Sequence, residues 1–268
     1  MHPGHRVLVA GHRGASADLP ENTLPAILRA RADGADLVEI DVRISRDGVL
    51  VLLHDESLER TTGDPRRLVD VNATGLLHLD AGDGTPPPRL DEVVGVAPLL
   101  IDLKDPVPDA VAEVVPEGAD VLVQSRDVAA MRRLKHLRPD LDVAVLARPH
   151  AHDLGELATW STGVHVHHLR LTADYVALLH AHGLRCMTWT VNHPFMVDRV
   201  LQLGVDGIIT DRSGDVVRAV SSARDARTAP RRHGRVRRAR TAASPSPSAG
   251  SPYPTGGTGP RRTSRRAG

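Results

Sequence analysis

Short apolar runs alternate with amphipathic stretches along most of the chain, and this alternation limits the folds that the chain can adopt. Eight runs are predicted to be β-strands, over residues 7–10, 37–42, 99–103, 121–124, 143–147, 164–166, 185–190 and 207–210. Helices are predicted between them, over about residues 22–33, 106–115, 127–137, 152–158, 173–182 and 194–203, and after the last strand over 213–220. Apolar strands separated by helices indicate a parallel sheet that is covered by helices.

Eight such units within about 215 residues are typical of an α/β TIM barrel, and a doubly wound sheet is the main alternative. The connection after the second strand, about residues 43–98, is longer than the others. We expect it to form an insertion that contains one further strand, over 49–53, and a turn-rich segment around Pro86–Pro88.

Charge is divided unevenly between the two ends of the chain. Residues 221–268 contain twelve arginines and one acidic residue, which leaves 22 basic and 32 acidic residues in 1–220, a net charge of −10. The terminal segment is rich in Arg, Ser, Pro and Gly, so we predict a barrel over 1–220 and a disordered basic tail over 221–268. Such a tail can bind nucleic acid or an anionic membrane, or can act as a solubilising extension. No stable protein partner is implied.

Sequence features that would direct the chain out of the cytoplasm are not apparent. No run of about 18 apolar residues predicts a membrane span, and the first residues lack the pattern of a secretory signal. The single cysteine, Cys186, cannot form an internal disulfide. We therefore expect a cytoplasmic protein.

Two acidic residues lie one residue apart in the second predicted strand. Glu39 and Asp41 point to the same face, because successive side chains of a strand alternate. Two like charges in an apolar strand cost several kcal/mol unless a partner compensates them. A hard divalent cation such as Mg²⁺ or Ca²⁺ is the simplest compensation, because such ions prefer carboxylate oxygens.

Other polar residues follow the carboxyl ends of predicted strands, where TIM barrels carry their active sites. Asp102 and Lys104 share a face at the end of the third strand. Asp102 could be a third oxygen ligand of the cation, and Lys104 could neutralise the charge of a phosphate. His12 and Arg13 follow the first strand, and His54 ends the extra strand. Cleavage of a phosphodiester needs a base and an acid, and two histidines on opposite sides of the phosphate would supply both.

An ordered set of motifs over about residues 7–215 resembles the glycerophosphodiester phosphodiesterase family. The motifs are Gly11-His12-Arg13-Gly14, Pro20-Glu21-Asn22-Thr23, Glu39-Ile40-Asp41, Asp47-Gly48, His54-Asp55, Arg60-Thr61-Thr62, Asp80-Ala81-Gly82, Pro88-Arg89-Leu90-Asp91-Glu92, Ile101-Asp102-Leu103-Lys104, Trp189-Thr190-Val191-Asn192 and Gly204-Val205-Asp206-Gly207-Ile208-Ile209-Thr210-Asp211. The order and spacing of the whole set, more than any single motif, carry the resemblance.

The resemblance implies a TIM barrel with a small insertion after the second strand, and hydrolysis of glycerophosphodiesters to glycerol 3-phosphate and an alcohol. It implies the following roles: His12 and His54 as the acid–base pair; Arg13 and Lys104 on the phosphate; Trp189 as a wall of the substrate pocket; and Glu39, Asp41 and Asp102 as ligands of a divalent metal, Mg²⁺ or Ca²⁺. Attack by the glycerol 2-hydroxyl, followed by opening of a cyclic phosphate by water, is one route that the family implies.

The sequence departs from the family pattern at three places. Position 102 is Asp where the family usually has Glu, and Arg126 stands where an aromatic residue is usual. The insertion is short for this family and Pro-rich, which predicts a more open pocket. Two alternatives to the main interpretation are a phospholipase D-like activity on lysophospholipids and a non-catalytic barrel that binds phosphodiesters. The full set of histidines, acids and Lys104 argues against the second of these.

Overall fold

A closed barrel of eight parallel strands forms the centre of the protein. The computed structural model describes residues 6–228. The barrel strands are β1 (Leu8–His12), β2 (Leu37–Ile44), β4 (Leu99–Leu103), β5 (Val121–Ser125), β6 (Asp142–Leu146), β7 (Gly163–His167), β8 (Met187–Trp189) and β9 (Gly207–Thr210), and β3 (Leu50–Leu52) is an addition to β2. The predicted TIM barrel and its eight strands are thus confirmed.

Strand order follows chain order around the barrel, and β1 pairs with both β9 and β2 to close it. All eight barrel strands run in the same direction, so their carboxyl ends meet at one rim. The register places His12 beside Glu39, and Asp41 beside Asp102. Residues that are far apart in the sequence are therefore neighbours at this rim.

Helices cover the outside of the barrel. They are α1 (Leu24–Ala32), α2 (Glu59–Thr62), α3 (Leu90–Val93), α4 (Pro108–Val114), α5 (Val128–Leu137), α6 (Leu154–Leu157), α7 (Ala173–Ala181), α8 (Pro194–Leu203) and α9 (Ser213–Thr228), with single 3₁₀ turns at Leu68–Asp70, Ala73–Leu76 and His168–Arg170. Helix α1 begins after Thr23, whose hydroxyl accepts a hydrogen bond from the backbone of Ala26. No helix in this part of the chain has both the length and the apolar character needed to cross a membrane.

The last helix passes the predicted end of the barrel domain. Helix α9 continues to Thr228, so the boundary predicted at residue 220 falls inside a helix. The remainder of the predicted basic tail, residues 229–268, lies outside the described residues.

The core has an outer layer between barrel and helices and a smaller layer inside the barrel. Strand β2 shows the division, because Val38, Ile40 and Val42 belong to the outer layer whereas Leu37 packs with apolar residues of the opposite strands. Glu39 and Asp41 share the inward face with Leu37, as their spacing predicts. The strand therefore directs both carboxylates into the barrel.

The insertion after β2 is a small folded unit with its own apolar cluster. Strand β3 pairs antiparallel with β2, and Val51, Leu53, Leu58 and Leu68 are buried together. This packing holds the end of β3, and His54 two residues after it, near the rim where the carboxyl ends of the barrel strands meet. The extra strand predicted from the sequence is confirmed.

Candidate active site

Three buried carboxylates meet at the carboxyl ends of β2 and β4. Oxygens of Glu39, Asp41 and Asp102 all lie within 4.8 Å of one another. The three residues are 2%, 0% and 8% exposed, so water does not screen their charges. Such a set of oxygens has the composition and spacing that a hard divalent cation requires.

Neighbouring cations compensate part of this negative charge. The ammonium of Lys104 lies 2.8 Å from Oδ1 of Asp41 and also contacts Asp102, and Nε of Arg13 lies 3.0 Å from Oδ2 of Asp41. Burial alone would raise the pKa of Asp41, but these cations outweigh it, and the net pKa is lowered. The contact to Oδ1 is an ion pair without the orientation of a hydrogen bond, which leaves this buried oxygen available to a further ligand.

Glu39 remains poorly compensated. Burial and the nearby charge of Asp41 raise its pKa to about 8, well above the ordinary value of 4.5. The backbone N–H of Arg13 donates a hydrogen bond of 2.8 Å to Glu39. A divalent cation would stabilise the ionised form of this carboxyl group, so the acidic cluster fits the metal that the sequence predicts.

His12, the last residue of β1, is held by an acid from the other end of the chain. Its Nδ1 lies 2.6 Å from Oδ1 of Asp211, which directly follows β9. The amide of Asn192 donates to the carboxylate of Asp211 and accepts from the Asp211 backbone N–H. Burial lowers the pKa of His12, but Glu39 and Asp211 outweigh this effect, so the net pKa is raised. With Nδ1 engaged, Nε2 is the ring nitrogen left for proton transfer.

His54 has a similar arrangement on the insertion. Its Nδ1 lies 2.7 Å from Oδ1 of the next residue, Asp55, which Arg60 also contacts. Burial raises the pKa of Asp55, but its hydrogen bonds with His54 and Arg60 lower it to about 2. The carboxylate therefore stays ionised at neutral pH and orients the imidazole through the contact at Nδ1.

One cavity of about 100 Å³ brings these groups together. Seven of the eight predicted site residues line it, namely His12, Arg13, Glu39, His54, Asp102, Lys104 and Trp189. The eighth, Asp41, is not part of the lining but contacts two residues that are, Lys104 and Arg13. Both histidines line the same cavity as Glu39 and Asp102, so a phosphate inside it could contact all four.

The structure adds residues whose roles the sequence did not reveal. Asp211 and Asp55 bind the histidines, and both occur in the motifs quoted above without an assigned task. Asn22, from the second of those motifs, donates to Oδ2 of Asp41 at 2.9 Å and accepts from the Asp41 backbone at 3.0 Å. The signal available for Asp211 was its place directly after the last strand, at the same rim as His12.

Comparison with known proteins gives a consistent family. The model of the glycerophosphoryl diester phosphodiesterase family matches residues 12–105 and 104–215. A glycerophosphodiester phosphodiesterase from Bacillus altitudinis is 30% identical over 76% of this chain and 94% of its own length.

Solved structures agree with this result. A phosphodiesterase from Oleispira antarctica, in complex with the product sn-glycerol-3-phosphate, has a TM-score of 0.73 and 26% identity, over 80% of this chain and 96% of its own. A glycerophosphodiester phosphodiesterase from Thermotoga maritima has a TM-score of 0.70 and 27% identity, over 81% and 99% of the two chains. The resemblance seen in the sequence motifs is confirmed, and the chain belongs to the glycerophosphoryl diester phosphodiesterase family.

Proposed function

We propose that this protein hydrolyses glycerophosphodiesters to glycerol 3-phosphate and an alcohol, with a divalent metal and two histidines as proton carriers. The observation that carries the proposal is the single small cavity in which His12, His54 and the acidic cluster meet. The Oleispira relative was solved with sn-glycerol-3-phosphate, the product that this reaction would release.

The two histidines suit opposite proton transfers. In hydrolysis, one imidazole removes the proton from the attacking hydroxyl, and the other gives a proton to the leaving alcohol oxygen. His12 and His54 come from different parts of the fold, β1 and the insertion, and both face the same cavity. Each has a carboxylate on Nδ1, which orients the ring and leaves Nε2 to carry a proton during the reaction.

Lys104 and Arg13 would stabilise the charge of the phosphate. An ammonium has three N–H donors, and the one hydrogen bond of Lys104, to Asp102, leaves donors for a phosphate oxygen. The guanidinium of Arg13 contacts Glu21 and Asp41, and Arg13 also lines the cavity. Cations fixed before the substrate binds lower the energy of the transition state without reorganisation.

Glu39, Asp41 and Asp102 would hold the metal, Mg²⁺ or Ca²⁺. Such an ion polarises phosphoryl oxygens and lowers the pKa of a bound hydroxyl. Asp102 is one methylene shorter than the glutamate that is usual in the family, and its carboxylate is engaged by Lys104. We infer that Lys104 keeps this shorter acid in place beside Asp41.

The experiment is an assay of glycerol 3-phosphate release from glycerophosphocholine by the full chain and by His12→Ala and His54→Ala. Each variant should lose at least about 100-fold in kcat, the scale of a general acid or base. His136→Ala, an exposed histidine at the end of α5, is the matched control and should retain activity. Near-normal kcat in either site variant would refute the assigned role. Release of choline from lysophosphatidylcholine alone would favour the phospholipase D-like alternative.

A further inference from the structure

A second, larger cavity opens beside the catalytic one. Its volume is about 760 Å³, against about 100 Å³ for the catalytic cavity. The two share Arg126, Leu146 and Trp189 as common walls. A substrate that is held at the histidines and is long enough to pass these three side chains therefore enters the larger cavity.

The larger cavity is lined by cations. Arg126, Arg148 and Arg170 line it together with His152 and His167, and no acidic residue is among its described lining residues. This is unexpected from composition, because residues 1–220 carry a net charge of −10. Three arginines that face one cavity in an acidic domain repel one another, and a bound anion would relieve this repulsion.

These arginines also differ from most of the others in their partners. Most arginines of the described chain form ion pairs, as Arg43 does with Asp105 and Arg133 with Asp109. Within residues 6–225, Arg126, Arg148 and Arg170 have no carboxylate as an ion-pair partner. Their guanidinium donors are thus free for a ligand, and a planar guanidinium matches the oxygens of phosphate.

The fold places the three arginines in a regular way. Arg126 follows β5, Arg148 follows β6 and Arg170 follows β7, each within three residues of the strand end. Three consecutive strands thus each contribute one arginine to the catalytic rim. The guanidinium of Arg126 lies over the ring of Trp189, 5.9 Å from its centroid, which fixes it at the boundary of the two cavities.

We propose that the larger cavity binds a second phosphate of the substrate. The preferred glycerophosphodiester then carries another phosphate on the part of the molecule that extends out of the catalytic cavity. This inference rests on the proposed function. The reacting phosphodiester occupies the small cavity, and Arg148 and Arg170 bind the additional phosphate. Arg126, in place of the aromatic residue that the family usually has, joins the two sites.

The test compares kcat/KM for three substrates at low salt: glycerophosphoglycerol, its terminal phosphomonoester, and a glycerol that carries glycerophosphate at both ends. The second and third carry the additional phosphate as a monoester and as a diester. Two exposed arginine–phosphate contacts should give a preference of about tenfold over glycerophosphoglycerol. The preference should shrink as salt is added. A preference for only one of the two would identify the source of the additional phosphate.

The key variant is Arg148→Ala/Arg170→Ala, in which both exposed arginines are removed. Its kcat/KM for the phosphate-bearing substrates should fall about tenfold further than for glycerophosphoglycerol. The matched control is Arg31→Ala/Arg185→Ala, which removes two exposed arginines from the opposite end of the barrel and should keep the preference. Arg148→Glu/Arg170→Glu should disfavour the phosphate-bearing substrates relative to glycerophosphoglycerol.

The outcomes separate this inference from the proposed function. Equal kcat/KM for all three substrates, or an equal fall in the double variant and its control, would overturn the second-phosphate site while leaving phosphodiester hydrolysis intact. Absence of glycerol 3-phosphate release from every substrate, with metal present, would overturn both.

Discussion

Glu39→Gln should stabilise the metal-free protein while removing its response to metal. Glu39 is 2% exposed, and its pKa of about 8 means that the folded state opposes its ionisation. Glutamine keeps the shape of the side chain and can still accept the hydrogen bond from the Arg13 backbone. The substitution therefore removes an unfavourable buried charge without opening a cavity.

The size of the effect follows from the two pKa values. The carboxyl group has an ordinary pKa of 4.5 when unfolded and about 8 when folded. Each pKa unit corresponds to about 1.4 kcal/mol, so above pH 8 the charge of Glu39 costs the folded state about 5 kcal/mol. Stability that depends on the protonated form is fully present below pH 4.5 and is lost as the pH rises through 8.

Thermal unfolding in chelator, followed by circular dichroism, measures this difference. At pH 9 the midpoint of Glu39→Gln should exceed that of the unmodified chain by about 10 °C or more, and at pH 5 the free-energy advantage should shrink to about 1 kcal/mol. Glu113→Gln, an exposed glutamate on α4, is the control and should change neither midpoint appreciably. Saturating Mg²⁺ should raise the midpoint of the unmodified chain at pH 9 and leave Glu39→Gln nearly unchanged.

A lower midpoint for Glu39→Gln than for the unmodified chain at pH 9 in chelator would contradict a destabilising charge on Glu39. It would show that the three carboxylates are already well compensated by Lys104 and Arg13. An equal gain from Mg²⁺ in both proteins would remove Glu39 from the metal site.

Two further predictions concern orientation and backbone. Asp211→Asn should lower kcat/KM about tenfold or more. It should also shift the limb of the pH–rate profile that His12 sets to lower pH, because the carboxylate raises the pKa of His12 and an amide does not. An unmoved limb would mean that His12 does not set it. Gly14→Ala should lower the free energy of unfolding by more than about 2 kcal/mol, because a Cβ would lie 2.5 Å from the Ala26 backbone. Gly118→Ala, also at positive φ but with open space, should lower it by about 1 kcal/mol. Equal losses of stability in urea unfolding would contradict the clash at Gly14.

The barrel could be predicted from the sequence because its signal is local. Each buried strand is a short apolar run, and the spacing of Glu39 and Asp41 fixes their common face whatever surrounds them. The predicted ends of strands are less accurate than their existence where hydrogen bonding to a neighbouring strand decides the end. The strand predicted over 185–190 begins at Met187, because Arg185 forms only an isolated bridge with Gly163.

The parts of the site that depend on long-range closure could not be predicted. His12 and Asp211 are 199 residues apart and meet because β1 and β9 pair. Lys104 was predicted as a phosphate ligand from its strand, but its position between Asp41 and Asp102 depends on the register of β2 and β4. The cationic cavity was hidden, because three exposed arginines do not stand out among the 32 of this chain.

The most direct test of metal-dependent phosphodiester hydrolysis is glycerol 3-phosphate release from glycerophosphocholine after chelation, with Mg²⁺, Ca²⁺ or Mn²⁺ added back to the full chain. We expect no release in chelator, restored release with at least one ion, and loss of the restored activity in His12→Ala. Full release in chelator would contradict the metal site at Glu39, Asp41 and Asp102, and no release with any ion would contradict the proposed reaction on this substrate.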